Sequence, residues 1–325
     1  MDTSTKFIGL NVKSPLIVGA GPLMGHLDNL IKMEESGAGA VVVKPLFEEQ
    51  FIYDIKKNQA VYAPTDHYGE SYSYVEQKGD STAVQRHIEF IAEAKRRLHI
   101  PVVASVDCYQ FESWINCVRS FEDVGCDALE INISLLPYET SISVEDVERL
   151  YQNVITSLRR IVNIPIAVQV NPYLTDMAKS VLQLSWMNIG GVTLFGTPDN
   201  FDIDIANQQI ASIAAGRPRK DCAETLRWTA VLSDKLRCGI SAAQGVATSD
   251  DVVKLLLAGA QTVQVHDCLQ QQGIDYIQKL NEGLRTWMEQ QGYESIEQFR
   301  GKLAFKGNEV AQMTLRIRRM MENGV

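Results

Sequence analysis

Apolar residues in this chain gather into short β-branched runs, separated by longer stretches with helical spacing. The runs are Leu16–Val18, Ala40–Val43, Val102–Ser105, Ala128–Ile133, Ile166–Val170, Val192–Phe195, Cys238–Ala242 and Thr262–Val265. Strand-length runs alternating with helices predict a parallel sheet, and eight of them is the number that closes a barrel. A finer repeat supports the count. Ser36-Gly37-Ala38-Gly39, Val124-Gly125-Cys126-Asp127, Asn188-Ile189-Gly190-Gly191 and Leu257-Ala258-Gly259-Ala260 each read as a helix stopped by glycine just before a strand. They recur before every second strand, as quarter-barrel units would. A doubly wound open sheet could use the same alternation. The count of eight, and the absence of GxGxxG after the first run, favour an α/β fold of the (β/α)8 TIM-barrel kind.

Three stretches break the rhythm. Phe7 to Val12, ahead of the first run, predicts an N-terminal hairpin closing the barrel floor. Pro45 to Asp80 and Gly196 to Asp221 predict long loops after strands two and six. Both follow strand C-termini, where barrel active sites form and where long loops are more often lids than linkers. From Ile274 the pattern reads as one long helix followed by a polar tail. One barrel with inserted loops accounts for residues 1–325 as a single domain.

Composition narrows the setting. The chain is 45% hydrophobic and 22% charged, ordinary for a soluble globular protein. Its net charge of −9, with no block of Lys or Arg, argues against a nucleic-acid partner. The apolar runs are too short for a bilayer. Met1 to Lys6 lacks the charged and apolar regions of a secretory signal. Cys108, Cys117, Cys126, Cys222, Cys238 and Cys268 form no CxxC pair and read as free thiols in a reducing compartment, hence a cytoplasmic protein.

Strand alternation then places chemistry. Ala40, Val42 and Lys44 share one face; so do Glu130, Asn132 and Ser134, and so do Ala167, Gln169 and Asn171. If those faces point inward, Lys44, Glu130, Asn132, Gln169 and Asn171 converge near the barrel top. Buried ionisable groups are costly unless paired, so a Lys44–Glu130 ion pair is expected there. A structural polar layer inside the barrel is the bland alternative. After the seventh strand, Ala243-Gln244-Gly245-Val246 leads into a helix with Ser249 as N-cap, and after the eighth comes His266-Asp267-Cys268. Loops at these two places commonly build a phosphate site from backbone N–H groups, which favours small residues. Here only Gly245 is small, so the phosphate signal is weak. His26, His67, His87 and His99 lack metal-ligand spacing and read as surface or helix residues, and no metal site is expected.

Several segments together resemble the dihydroorotate dehydrogenase family. They are Ser14-Pro15-Leu16-Ile17-Val18-Gly19-Ala20-Gly21-Pro22-Leu23, Val41-Val42-Val43-Lys44, Leu129-Glu130-Ile131-Asn132-Ile133-Ser134, Gly245-Val246 and Asp250 to Ala260. Lys44-Pro45-Leu46-Phe47-Glu48-Glu49-Gln50, Leu226-Arg227-Trp228 and Gly292-Tyr293-Glu294-Ser295 bring it nearest to a dihydroorotate dehydrogenase-like branch. The resemblance implies a homodimeric barrel in which a small cyclic substrate passes hydride to FMN, aided by a Cys or Ser base. It implies Lys44 and Asn132 as flavin and substrate contacts, and Ala20 and Gly21 as backbone contacts to the flavin ring. It implies Gly245 as a phosphate-loop glycine.

The departures from that pattern are as specific as the matches. Leu135-Leu136-Pro137-Tyr138 stands where the family has its Cys or Ser base and a substrate-binding Asn. Gln169 replaces a flavin-facing Lys, Gly196 an Asn, Gln244 a phosphate-loop Gly, and His266 a small residue. Side chains of Gln244 and His266 could take over the phosphate, and Ser134 or Tyr138 could substitute for the base. Three readings follow: an FMN-dependent oxidoreductase with an altered site, a catalytically inactive barrel with a binding or regulatory role, and a flavin-free sugar-phosphate isomerase type using Lys44 and Glu130.

Overall fold

The computed structural model describes residues 1–52, 82–108, 114–134, 142–196, 201–212, 221–306, 308–322 and 324. The chain opens with an antiparallel pair, β1 (Thr5–Phe7) and β2 (Leu10–Val12). Next come β3 (Leu16–Val18), β4 (Ala40–Val42) and the two-residue β5 (Leu46–Phe47). Then follow β6 (Val102–Cys108), β7 (Ala128–Ile133), β8 (Ile166–Val170) and β9 (Gly191–Leu194). A separate ribbon, β10 (Phe201–Asp204) with β11 (Gln209–Ser212), interrupts before β12 (Gly239–Ala242) and β13 (Thr262–Val265). Strands β3, β4, β6, β7, β8, β9, β12 and β13 pair in parallel, and β13 returns to β3. The sheet therefore closes as an eight-stranded barrel with no open edge.

Helices cover the staves: α1 (Leu27–Glu35), α2 (Ala83–Arg97), α3 (Val118–Asp123), α4 (Val144–Ile161) and α5 (Met177–Ser185). The second half adds α6 (Ala223–Leu232), α7 (Ser249–Ala258), α8 (Asp267–Gln272), α9 (Tyr276–Gln291) and α10 (Asn308–Glu322). Two expectations are corrected here. The N-cap of α7 is Thr248, whose hydroxyl accepts from the Asp251 amide while Asp251 returns the bond, so Ser249 is the first helical residue. The stretch beyond Ile274 also holds a second helix, α10, where a polar tail was expected.

The β1–β2 hairpin plugs the barrel floor. Phe7, Ile8 and Val12 are buried against the inward residues Ile17, Ala40, Val42, Val103, Ala128 and Ala167. Its two-residue turn takes positive φ at both Ile8 (45°) and Gly9 (93°), the conformation that matches strand twist in a tight hairpin. A β-branched residue is strained there. Ile8 tolerates it because its side chain is buried in the floor. Gly190 and Gly191 admit the turn: a β-carbon on Gly190 would overlap the Ile8 carbonyl, and one on Gly191 its side chain. That glycine pair, read from sequence as a helix stop, instead admits the Ile8 backbone at Gly190 and the Ile8 side chain at Gly191.

The same register fixes which positions look into the barrel. Ala40 and Val42, Ala128 and Ala167 all face the interior. By alternation Lys44, Glu130, Asn132, Ser134 and Gln169 continue those faces upward towards the C-terminal mouth.

Candidate functional site

Two polar layers occupy the barrel at different heights. In the lower one, Glu130 is fully enclosed, and its Oε2 accepts from Thr193 Oγ1 at 2.6 Å and from Gln264 Nε2 at 2.8 Å. Thr262 donates to Ser241 beside them at 3.0 Å. Burial pushes the Glu130 carboxyl above its usual range, and the two hydrogen bonds only partly oppose that shift. The expected Lys44–Glu130 ion pair is absent. Lys44 lies past the end of β4 and is exposed, while the stagger of the strands brings Thr193 and Gln264 to the carboxylate instead.

The upper layer is centred on Asn132. Its Nδ2 donates to Asp107 Oδ2 at 2.6 Å and to Ser134 Oγ at 2.9 Å, which fixes the orientation of the amide. A β-carbon on Gly196 would sit 3.2 Å from the Gln169 side chain and 3.4 Å from Asn132 Oδ1, so these three converge as expected. Asn171 does not join them. Its Oδ1 accepts from the Tyr173 amide at 3.0 Å, and it lines a cleft outside the mouth. Leu135, Leu136, Pro137 and Tyr138 lie outside the described residues.

Cys108 is the thiol nearest this layer, donating weakly to the Asn132 carbonyl at 3.5 Å. Burial, with Glu48 and Asp107 adding negative charge nearby, raises its pKa far above the ordinary thiol range. It is no surrogate base. His87, on α2, has a buried Nε2 without a hydrogen-bond partner, and burial followed by the Lys44 charge lowers its pKa to about 4. His26 and His99 are exposed; His67 lies outside the described residues. Among the described residues no group of His, Cys, Asp and Glu could hold a metal ion.

On the other side of the mouth stand Ala20, Gly21, Gln244, Gly245 and His266. Gly245 takes φ 81°, and a β-carbon there would overlap the Asp221 carbonyl, so glycine is required for local packing alone. The imidazole of His266 lies on Gly21: a β-carbon at Gly21 would overlap the ring. His266 Nδ1 is 3.0 Å from Asp267 Oδ1, and Nε2 is 3.2 Å from Gln270 Nε2. With its proton on Nδ1 the ring donates to Asp267 and accepts from Gln270. Asp267 is the first residue of α8, a role not read from the sequence although the His-Asp pair stood in view. The space framed by Ala20, Gln169, Phe195, Gly245, His266 and Asp267 is about 40 Å³, room for a few waters.

The fold and this arrangement can now be set beside known proteins. Residues 3–288 match the dihydroorotate dehydrogenase family model. The chain belongs to the dihydroorotate dehydrogenase family. It is 24% identical to the catalytic subunit of dihydroorotate dehydrogenase B (NAD(+)) from Thermoplasma acidophilum, covering 92% of this chain and 98% of that protein. The corresponding subunit from Pyrococcus furiosus is 26% identical over 93% of this chain and 98% of its own length. The NAD-dependent dihydropyrimidine dehydrogenase subunit PreA of Escherichia coli K12 is 24% identical, over 92% of this chain and 76% of that protein. Among the described residues, no helix is long and apolar enough to cross a membrane.

One side chain of the mouth stands where the resemblance implies the family's flavin. The resemblance puts the flavin ring against the Ala20–Gly21 backbone, where the His266 imidazole lies. It puts the phosphate between the loops that carry Gly245 and His266, and Asp267 lines the same small cavity. A carboxylate beside that place disfavours a second anion, and Asp267 already has a partner in His266.

Proposed function

We propose that this chain keeps the barrel of the dihydroorotate dehydrogenase family without the family's flavin-dependent hydride transfer, and acts as a binding or regulatory protein. The observation that carries this reading is the His266 ring on Gly21, held by Asp267 and Gln270. The Leu135-Leu136 segment, which stands where the base would be, adds to it from the sequence. Because the named relatives are described as subunits, the proposal includes work within an assembly, with a second copy or another chain. The mouth would accept a small polar molecule bound by Asn132, Gln169 and Lys44. A single-domain cytoplasmic protein belongs to the same proposal.

A second reading keeps FMN and turnover on a small cyclic substrate. It is favoured by the fixed Asn132 amide and by Gly21, Lys44 and Gly245, which match the family pattern. In that reading Ser134, bonded to Asn132, or Tyr138 substitutes for the missing base. The sugar-phosphate isomerase reading loses its support with the Lys44–Glu130 pair.

The visible absorption spectrum of freshly purified protein, followed by FMN titration, separates the first two. A colourless protein that ignores added FMN supports the proposal. A stoichiometric flavin spectrum overturns it.

A further inference from the structure

Outside the barrel mouth, a cleft lies between the N-terminal turns of α4 and α5. Its volume is about 210 Å³, against about 40 Å³ for the space at the mouth. Its lining is mostly apolar, with Ile142, Val147, Leu174 and Tyr151 among the residues that form it. Tyr173, half exposed, stands at the rim. One carboxylate enters this surface, that of Glu148, and among the described residues its hydrogen-bond partner is the Ser180 hydroxyl, which donates at 3.0 Å. Among the described residues no cation lies within ion-pair distance of it.

A carboxylate can accept about four hydrogen bonds, so one hydroxyl leaves most of its capacity open. An ammonium supplies such a carboxylate with both a counter-charge and three donors. The tyrosine rings add faces that attract a cation. The arrangement of α4 repeats this logic in sequence: Val144, Val147, Glu148 and Tyr151 fall at spacings of three and four and share one helix face.

We infer that the α4–α5 cleft binds a small organic cation, an alkyl or arylalkyl ammonium whose charged end meets Glu148 and whose apolar body lies against Val147, Leu174 and Tyr151. The inference is independent of whether the barrel mouth takes a flavin.

Calorimetric titration of the full-length protein with phenethylamine tests it, beside two controls of the same shape: neutral 2-phenylethanol and anionic phenylacetate. The amine binds about tenfold or more tightly than the alcohol, and phenylacetate does not bind. Glu148→Gln keeps an acceptor for Ser180 and lowers amine affinity to that of the alcohol. Val144→Trp alters an exposed rim position, leaves folding intact, and abolishes amine binding by filling the cleft. Equal affinity for amine and alcohol, undetectable amine binding, or amine binding unchanged in both variants would overturn the inference.

Discussion

His266 and Gly21 sit side by side at the rim of the barrel mouth, so closely that the imidazole takes the volume any larger side chain at position 21 would need. The relationship runs between strand ends that are neighbours in the closed sheet, since β13 pairs with β3. Glycine at 21 therefore has a use in this chain that requires no cofactor: it accommodates a ring from the adjacent stave. Asp267 and Gln270 hold that ring from below through Nδ1 and Nε2.

Removing the obstruction should restore what it blocks. His266→Gly, Gln244→Gly and Asp267→Thr together free the Gly21 face and the loop backbone and remove a like charge. Each obstacle corresponds to about 1–3 kcal/mol, so FMN affinity rises about a hundredfold or more over the unaltered protein. Flavin fluorescence quenching on titration measures it. A folded triple variant with unchanged affinity would show that the obstacle lies elsewhere.

Much of this geometry was legible in the sequence, and the failures share a cause. Alternation correctly set Ala40, Val42 and Ala167 inside, and with them the direction of Asn132 and Gln169. Alternation gives the face of a strand and not its height in the barrel. Glu130 stands two residues below Asn132, about 6.6 Å along the strand. At that height it meets Thr193 and Gln264, whose own alternating patterns would have nominated them. The Lys44 pairing failed because Lys44 lies above the paired part of its strand. Thr248 was identifiable from the T-x-x-D spacing to Asp251, and α10 from apolar residues at Val310, Met313, Ile317 and Met320. The exchange of a helix stop for a backbone contact at Gly190 was not legible, because it depends on a hairpin some 180 residues away.

The floor contact gives a stability test. Gly190→Ala places a β-carbon into the Ile8 carbonyl, and backbone on both sides resists adjustment. Overpacking of this kind costs about 1–3 kcal/mol. The urea midpoint falls accordingly, while Gly125→Ala, which meets no neighbouring atom, loses only the smaller penalty of its positive φ. Equal losses in the two variants would mean that the turn does not seat as described.

The thiols give a reactivity test. Burial raises the pKa of Cys126 to about 12 and of Cys222, Cys238 and Cys268 to about 11, with Cys108 higher still. Thiolate is the nucleophile, so these five resist iodoacetamide at pH 8 in the native protein and react on unfolding. Peptide mass spectrometry reads each site. Rapid native labelling of Cys108 would contradict its enclosure and reopen it as a candidate base.

Glu130 gives a pH test with a definite sign. Its folded pKa lies above the unfolded value because burial disfavours the charge, so between the two values the folded state binds the extra proton. Its contribution to stability is therefore complete below the ordinary glutamate range near 4.3, is lost as pH rises through the folded pKa, and stays lost above it. Glu130→Gln keeps an oxygen to accept from Thr193 and Gln264 and removes the titration. Relative to the unaltered protein, the variant gains stability steadily as pH rises from about 4.3, and its melting temperature shows a flatter profile across that range. Parallel melting curves for the two proteins at every pH would mean that Glu130 carries its charge without cost, which its enclosure and its two neutral donors do not allow.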